Sequence, residues 1–187
     1  MESIALLKDE HRAIERMLAI LEEASDRLAE GRSLRAALFR EAVEFIQNFG
    51  DRCHHGKEEE ILFPRLEAAG MPRDNGPLAV MLMEHDEGRA YVRQLSEAAA
   101  AMEGGEASAA AAVIENARAY VQLLRMHILK EDNVLFPLAQ RLLTAEDDAE
   151  LERRFEQAEA EVMGPGVHER YHELLDALEQ ELGLVRV

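Results

Sequence analysis

Cations are scarce in this chain: 21 Lys and Arg stand against 38 Asp and Glu, a formal net charge of −17 over 187 residues. Such a surface lacks the clustered positive charge that neutralises phosphates, which excludes nucleic acid and anionic membrane surfaces as partners. No apolar run approaches the roughly 18 residues a membrane span needs. Cysteine occurs once, at Cys53, so no intrachain disulfide can form, and a reducing compartment suits the chain. The first ten residues, Met1 to Glu10, lack the basic start and long apolar stretch of a secretory leader. The expected location is cytoplasmic. Glycine and proline are sparse, at 11 and 5, and no apolar–polar alternation of β type is sustained, so helix dominates. Hydrophobic residues reach 48%, enough at this length to bury a core despite the charge.

The few breakers divide the chain. Gly31-Arg32-Ser33, the loop from Gly70 to Pro77, and Gly104-Gly105 separate four long segments, roughly 3–30, 34–68, 78–103 and 107–142. Thr144 with Asp147 three residues on is a capping signal for a fifth helix, and Gly164-Pro165-Gly166 precedes a sixth. Each long segment carries a stripe at spacings of three and four. The first reads Ile4, Leu7, His11, Ile14, Leu18; the second Val43, Ile46, Gly50, His54, Glu58, Ile61. The third reads Leu78, Leu82, His85, then Val92 and Leu95. The fourth reads Tyr120, Leu124, His127, Glu131, Val134, Leu138. Four amphipathic helices on short loops pack most simply as an antiparallel up-down four-helix bundle, an all-α fold. Polar residues on the core face are costly unless something pairs with them.

The chain also repeats itself. His11 and His85 are 74 residues apart, while His54 and His127, Glu58 and Glu131, and Pro64 and Pro137 are each 73 apart. Glu10-His11 recurs as Glu84-His85, and the stretch from His54 to Leu62-Phe63-Pro64 recurs as His127 to Leu135-Phe136-Pro137. A helical hairpin is thus present twice, each copy delivering one lone His and one His-x-x-x-Glu pair. The shared proline is expected to kink or end its helix about two turns beyond the pair.

His at i and Glu at i+4 stack on one helix face. Two such pairs and two single His give four imidazoles and two carboxylates facing one interior: His11, His54, Glu58, His85, His127 and Glu131. That donor set suits transition metals and neither calcium nor magnesium, which take oxygen alone. One tetrahedral zinc would leave two ligands over. Two metals, each held by two His and bridged by both Glu, use all six, and a bridging oxide or hydroxide leaves room for a small exogenous ligand. The arithmetic points to a pair of non-haem irons, or to manganese. His55 and Glu59 have the same spacing as His54 and Glu58, but in the repeat they align with Ile128 and Asp132, so they are set aside.

These motifs closely resemble those of the hemerythrin-like, or HHE cation-binding, family, over residues 4 to 142. The resemblance implies a four-helix bundle with a carboxylate- and oxo- or hydroxo-bridged centre of two iron ions. It places ligands at His11, His54, His85 and His127 and bridges at Glu58 and Glu131. Oxygen carriers similar to this chain have a second His one turn after the third-helix His, where Arg89 stands here. Asp132 occupies the spacing of their bridging acid. Lacking a fifth His, the irons are expected to keep open or water-filled positions, which favours redox chemistry or sensing over simple oxygen carriage. The resemblance also brings in iron-centre repair proteins, whose Cys-bearing N-terminal segment is missing here.

The expected organisation is a metal-binding bundle at residues 1–143 and a helical extension at 144–187, with the C-terminal helix as the candidate homodimer contact. The expected function is di-iron binding of, or reaction with, dioxygen, nitric oxide or hydrogen peroxide, in sensing or detoxification. The alternative is iron storage, delivery or centre repair without turnover. In the extension His168 and His172 lie one turn apart, and an exposed pair on a helix packed by Leu174, Leu175, Leu178 and Leu182 accounts for them. Cys53 reads as a small core residue, Tyr91 and Tyr120 as buried packing tyrosines, and Met71, Met81, Met83, Met102 and Met126 as core or loop fillers.

Overall fold

The computed structural model describes residues 1–35, 37–106, 108–162, 164 and 166–184. Pro165 of the last break, Ala36 and Ala107 near the starts of the second and fourth segments, and the final three residues of the extension lie outside the described residues. The described chain is all-helical. Helix α1 is Glu2–Ala29. Helix α2 starts as Ala37–Phe45, passes through two wider stretches at Ile46–His55 and Glu58–Leu62, and ends as Phe63–Ala68. Helix α3 is Pro77–Glu103. Helix α4 starts as Ala109–Lys130, widens at Glu131–Leu135 and ends as Phe136–Leu142. Ala145–Val162 forms α5 and Val167–Leu182 forms α6.

The expected segments match these helices to within a few residues, because the breakers act locally. Gly105, for instance, takes a φ of 88° in the α3–α4 turn, a conformation open to glycine and strained for other residues. Helix α5 begins with the expected reciprocal cap. The Thr144 backbone N–H donates to Asp147 Oδ2 at 2.8 Å, and the Asp147 N–H donates to Thr144 Oγ1 at 3.2 Å.

Of the two expected effects of the prolines, kinking or ending the helix, the second does not occur. Neither Pro64 nor Pro137 ends its helix. A proline in a regular α-turn would clash with the carbonyl four residues back, and the turn before each one is wider, with bonds spanning five residues instead of four. The Phe63 N–H reaches the Glu58 carbonyl, and the Phe136 N–H reaches that of Glu131. Each helix then continues for several residues.

Helix α1 packs on α4, α4 on α3, α3 on α2 and α2 on α1, closing a four-membered ring; α5 and α6 lie against α1, and α5 also meets the wide stretches of α2. Two apolar cores fill the bundle. The larger includes Ile14, Leu18, Phe45, Phe49, Val92 and Leu124, and takes in Leu175, Leu178 and Leu182 of α6. The smaller includes Ile4, Leu7, Leu62, Phe63, Met81 and Phe136, with Leu151 and Phe155 of α5. Each fully buried aliphatic side chain contributes about 1.5–3 kcal/mol, so both cores hold the helices firmly. The slab between them is polar. No described helix is long and apolar enough to cross a membrane.

Candidate metal centre

All six expected donors lie in that slab: His11, His54, Glu58, His85, His127 and Glu131 are each at most 1% exposed. The structure brings them together as two overlapping groups. His11, His54, Glu58 and Glu131 form one; His55, Glu58, His85 and His127 form the other, with donor atoms in each group within 4.8 Å of one another. Glu58 belongs to both. Glu131 Oε2 lies 3.1 Å from His11 Nε2 and 3.2 Å from His127 Nε2, so it too spans the groups.

The seventh residue, His55, corrects the sequence reading. The repeat aligns it with Ile128 and assigns it outside the centre, yet it is 5% exposed, and its ring stacks on His85 with centroids 3.9 Å apart. A fifth imidazole therefore does face the interior. It comes from the residue after His54, whereas the third-helix position holds Arg89. The cause is the wide stretch Ile46–His55: side chains rotate less per residue in a wider turn, so two consecutive histidines share the inward face.

Every imidazole is held from behind by a carboxylate. His54 Nδ1 lies 2.9 Å from Glu10, His127 Nδ1 3.0 Å from Glu84, His11 Nδ1 3.0 Å from Asp132, His85 Nδ1 2.6 Å from Glu59, and His55 Nδ1 3.3 Å from Asp51. A carboxylate only accepts, so each Nδ1 donates its proton outward; each Nε2 is then the atom that would serve a cation, and without one the His85 and His127 Nε2 atoms share a proton across 3.1 Å. The motif repeat explains itself here. The acid before each lone His grips the paired His of the neighbouring helix, and the acid after each of Glu58 and Glu131 grips the lone His of the other hairpin. Asp132 is thus a supporting residue. Lys57 pairs with Glu10 and Lys130 with Glu84. Arg12 pairs with Asp132 and Arg89 with Glu59. The phenylalanines of the Leu-Phe-Pro motifs lie parallel to the lone histidines, Phe136 on His11 and Phe63 on His85.

The inner atoms lack such partners. Among the described residues, His11 Nε2, both oxygens of Glu58 and both oxygens of Glu131 are buried and make no hydrogen bond; the Glu58 oxygens come no nearer than 3.6 Å to His54 and His85. Burial and the neighbouring Glu131 push the Glu58 carboxyl well above the usual range. Burial works the same way on Glu131, but His127 and His11 outweigh it and hold that carboxyl well below. Burial and the His85 ring push His55 down to about 3. Leaving buried carboxylate oxygens unpaired costs several kcal/mol. Cations between the two groups would satisfy every orphaned atom at once, and the mixed nitrogen–oxygen set fits a transition metal.

The remaining polar candidates lie elsewhere. His168 bonds Glu159 at 3.0 Å and stacks on His172, outside the centre. Cys53 is buried, its thiol pushed up to about 11 chiefly by burial. Cys53, Glu10 and Glu159 form a third cluster, but the Lys57 ammonium already pairs with both of its carboxylates. Tyr120 is buried, whereas Tyr91 is half-buried and donates to Glu87. Met71 and Met81 are core residues as expected; Met83 and Met126 are exposed instead, at 60% and 53%.

The family model described as the hemerythrin HHE cation-binding domain matches residues 2–139. Uncharacterised proteins of Mycobacterium tuberculosis and Mycobacterium bovis are each 26% identical to the chain over 178 residues, covering 95% of it and 69% of their own length. No solved structure matches.

Proposed function

We propose, from the premise that this chain belongs to the hemerythrin HHE cation-binding domain family, that it holds two iron ions and handles a small diatomic or peroxide in sensing or detoxification. The observation that carries this reading is the slab of inward Nε2 atoms and unpaired carboxylate oxygens between two apolar cores. In this reading His11 and His54 would hold one ion and His55, His85 and His127 the other, with Glu58 and Glu131 as the carboxylates common to both. When bound, an iron pair supplies redox-active Lewis acids that exchange up to two electrons with a small oxidant.

The chain's own residues prepare that chemistry. The five outer carboxylates fix each imidazole's tautomer and aim. Phe63 and Phe136 cover two of the rings and keep water from their faces. Lys57, Lys130 and Arg12 neutralise Glu10, Glu84 and Asp132, and Arg89 is shared by Glu59 and Asp51, which leaves Glu58, Glu131 and one outer acid to balance the cations. The extension, residues 144–187, packs on the 1–143 metal unit, with Leu151 and Phe155 entering one core and Leu175, Leu178 and Leu182 the other.

Elemental analysis of protein prepared with iron, joined to rapid mixing of the reduced form with dioxygen, nitric oxide and hydrogen peroxide, tests the reading. Two irons per chain and a fast spectral change with at least one of the three are expected. A metal-free preparation of undiminished stability overturns it.

A further inference from the structure

Arg89 stands one helical turn after His85, and the side of the centre it faces is hollow. A cavity of about 150 Å³ opens there between α2, α3 and α4, with His55, Gly88, Val92 and Tyr120 among its walls. Buried Tyr120 and His55 mark its inner end, and exposed Gln47 and Arg93 its mouth. The volume corresponds to roughly five water molecules at about 30 Å³ each. Gly88 lets α4 come close beside it. A Cβ there would lie 3.5 Å from Leu124 Cδ2 and 3.6 Å from Tyr120 Cε2, so a side chain longer than alanine presses on Tyr120 and the cavity wall it forms.

The polar groups of the wall specify the guest. The Arg89 charge is taken up by three carboxylates: Nε donates to Asp51 at 2.8 Å, Nη2 to Glu59 at 2.7 Å and Nη1 to Asp86 at 3.2 Å. Arg89 has no charge to spare for an anion. Among the described residues the Tyr120 hydroxyl makes no hydrogen bond, and it is not sealed away from the cavity that Tyr120 lines, so it is available to a guest there. Asp51 already accepts from Arg89 and His55 and has a second carboxylate oxygen for a further donor. An uncharged molecule of few atoms that both donates and accepts satisfies these groups; an apolar diatomic or an anion does not.

We propose that this cavity is the entry and holding site for hydrogen peroxide, bound through Tyr120 and Asp51, with His55 as the ring between it and the centre. His55 suits that place because its supporting contact, 3.3 Å to Asp51, is the longest of the five. The inference rests on the small-oxidant reading above and deepens it.

Two variants and two measurements test it. In the reduced iron-loaded protein, Tyr120→Phe should slow reaction with hydrogen peroxide about five- to tenfold, the worth of one hydrogen bond. Gly88→Val should slow it further at unchanged metal content. Should Gly88→Val fail to fold, Tyr120→Phe carries the comparison alone. In zinc-loaded protein, which does no redox chemistry, a hydrogen peroxide titration should shift the Gly88 amide resonance saturably, and more weakly in Tyr120→Phe. Unchanged rates in variants that retain their metal, or no shift at Gly88, overturn the cavity assignment. An iron-loaded wild type inert to peroxide would sink the functional reading instead, and the zinc titration would still decide the cavity.

Discussion

The Glu10 carboxylate and the His54 imidazole, on neighbouring helices, meet at 2.9 Å, with Lys57 closing the other side of the acid. Glu84, His127 and Lys130 reproduce the arrangement in the second hairpin. The pairing converts a buried acid that would be a liability into a clamp on a ring nitrogen. Replacing Glu10 or Glu84 by Gln keeps the shape and removes the charge. Each substitution is expected to weaken metal binding by about 10–100-fold, measured by competition with a chelator of known affinity. Unchanged affinity would reduce these acids to packing residues.

His55 distinguishes the three-dimensional reading from the repeat. His55→Ala is expected to lower metal occupancy at one position, while His168→Ala leaves both filled, because His168 bonds Glu159 away from the centre. Metal-to-chain ratios after exhaustive dialysis check this. Equal losses from both variants would bring the extension into the site.

Glu58 sets function against stability. Its oxygens are buried without hydrogen bonds, so Glu58→Met, of similar length and apolar, should stabilise the metal-free protein by about 1–3 kcal/mol. The same variant should gain nothing from added metal. Paired denaturant titrations with and without metal report both effects; a less stable metal-free variant would mean the carboxylate is already satisfied.

Asp148 ties α5 to the start of α1. Its oxygens accept from the backbone N–H groups of Glu2 and Ser3 and from the Ser3 hydroxyl. Partial burial raises its carboxyl, but these bonds outweigh it and hold the group below the ordinary value. A depressed carboxyl stabilises above its unfolded value and loses that contribution as pH falls through the folded one. Asp148→Asn should cost about 0.5–1 kcal/mol at pH 7 after allowance for solvent screening. The gap to wild type should narrow below about pH 4, where the unfolded carboxyl titrates. A gap that is constant from neutral to acid pH would remove the charge from the explanation.

Much of this was legible beforehand for physical reasons. Glycine and proline act on their own turns, so the breaks at Gly31, Gly70 and Gly104 predict helix ends closely. A stripe spaced three and four marks the buried face, so His11, His54, Glu58, His85, His127 and Glu131 are legible as inward groups. His55 was not, because the stripe presumes a regular α-turn, and the chain widens at Ile46–His55. The signals that could have raised it were the consecutive His54-His55 pair and its i+3 spacing to Glu58. The acids Glu10, Glu59, Glu84 and Asp132 were visible as repeated letters, but their task depends on which helices become neighbours. No periodicity in one strand of sequence encodes that.

The pairing of the supporting acids with Lys and Arg has an electrostatic corollary. Glu10, Glu84 and Asp132 each have a cation of their own, while Glu59 and Asp51 share Arg89, so with Glu58 and Glu131 three formal negative charges remain at and beside the middle of the bundle. A pair of divalent ions would overshoot them by one unit. Electroneutrality in so dry an interior then requires a small anion to travel in with the metals, and the loaded protein should lose affinity for them when every such anion is withheld from the medium.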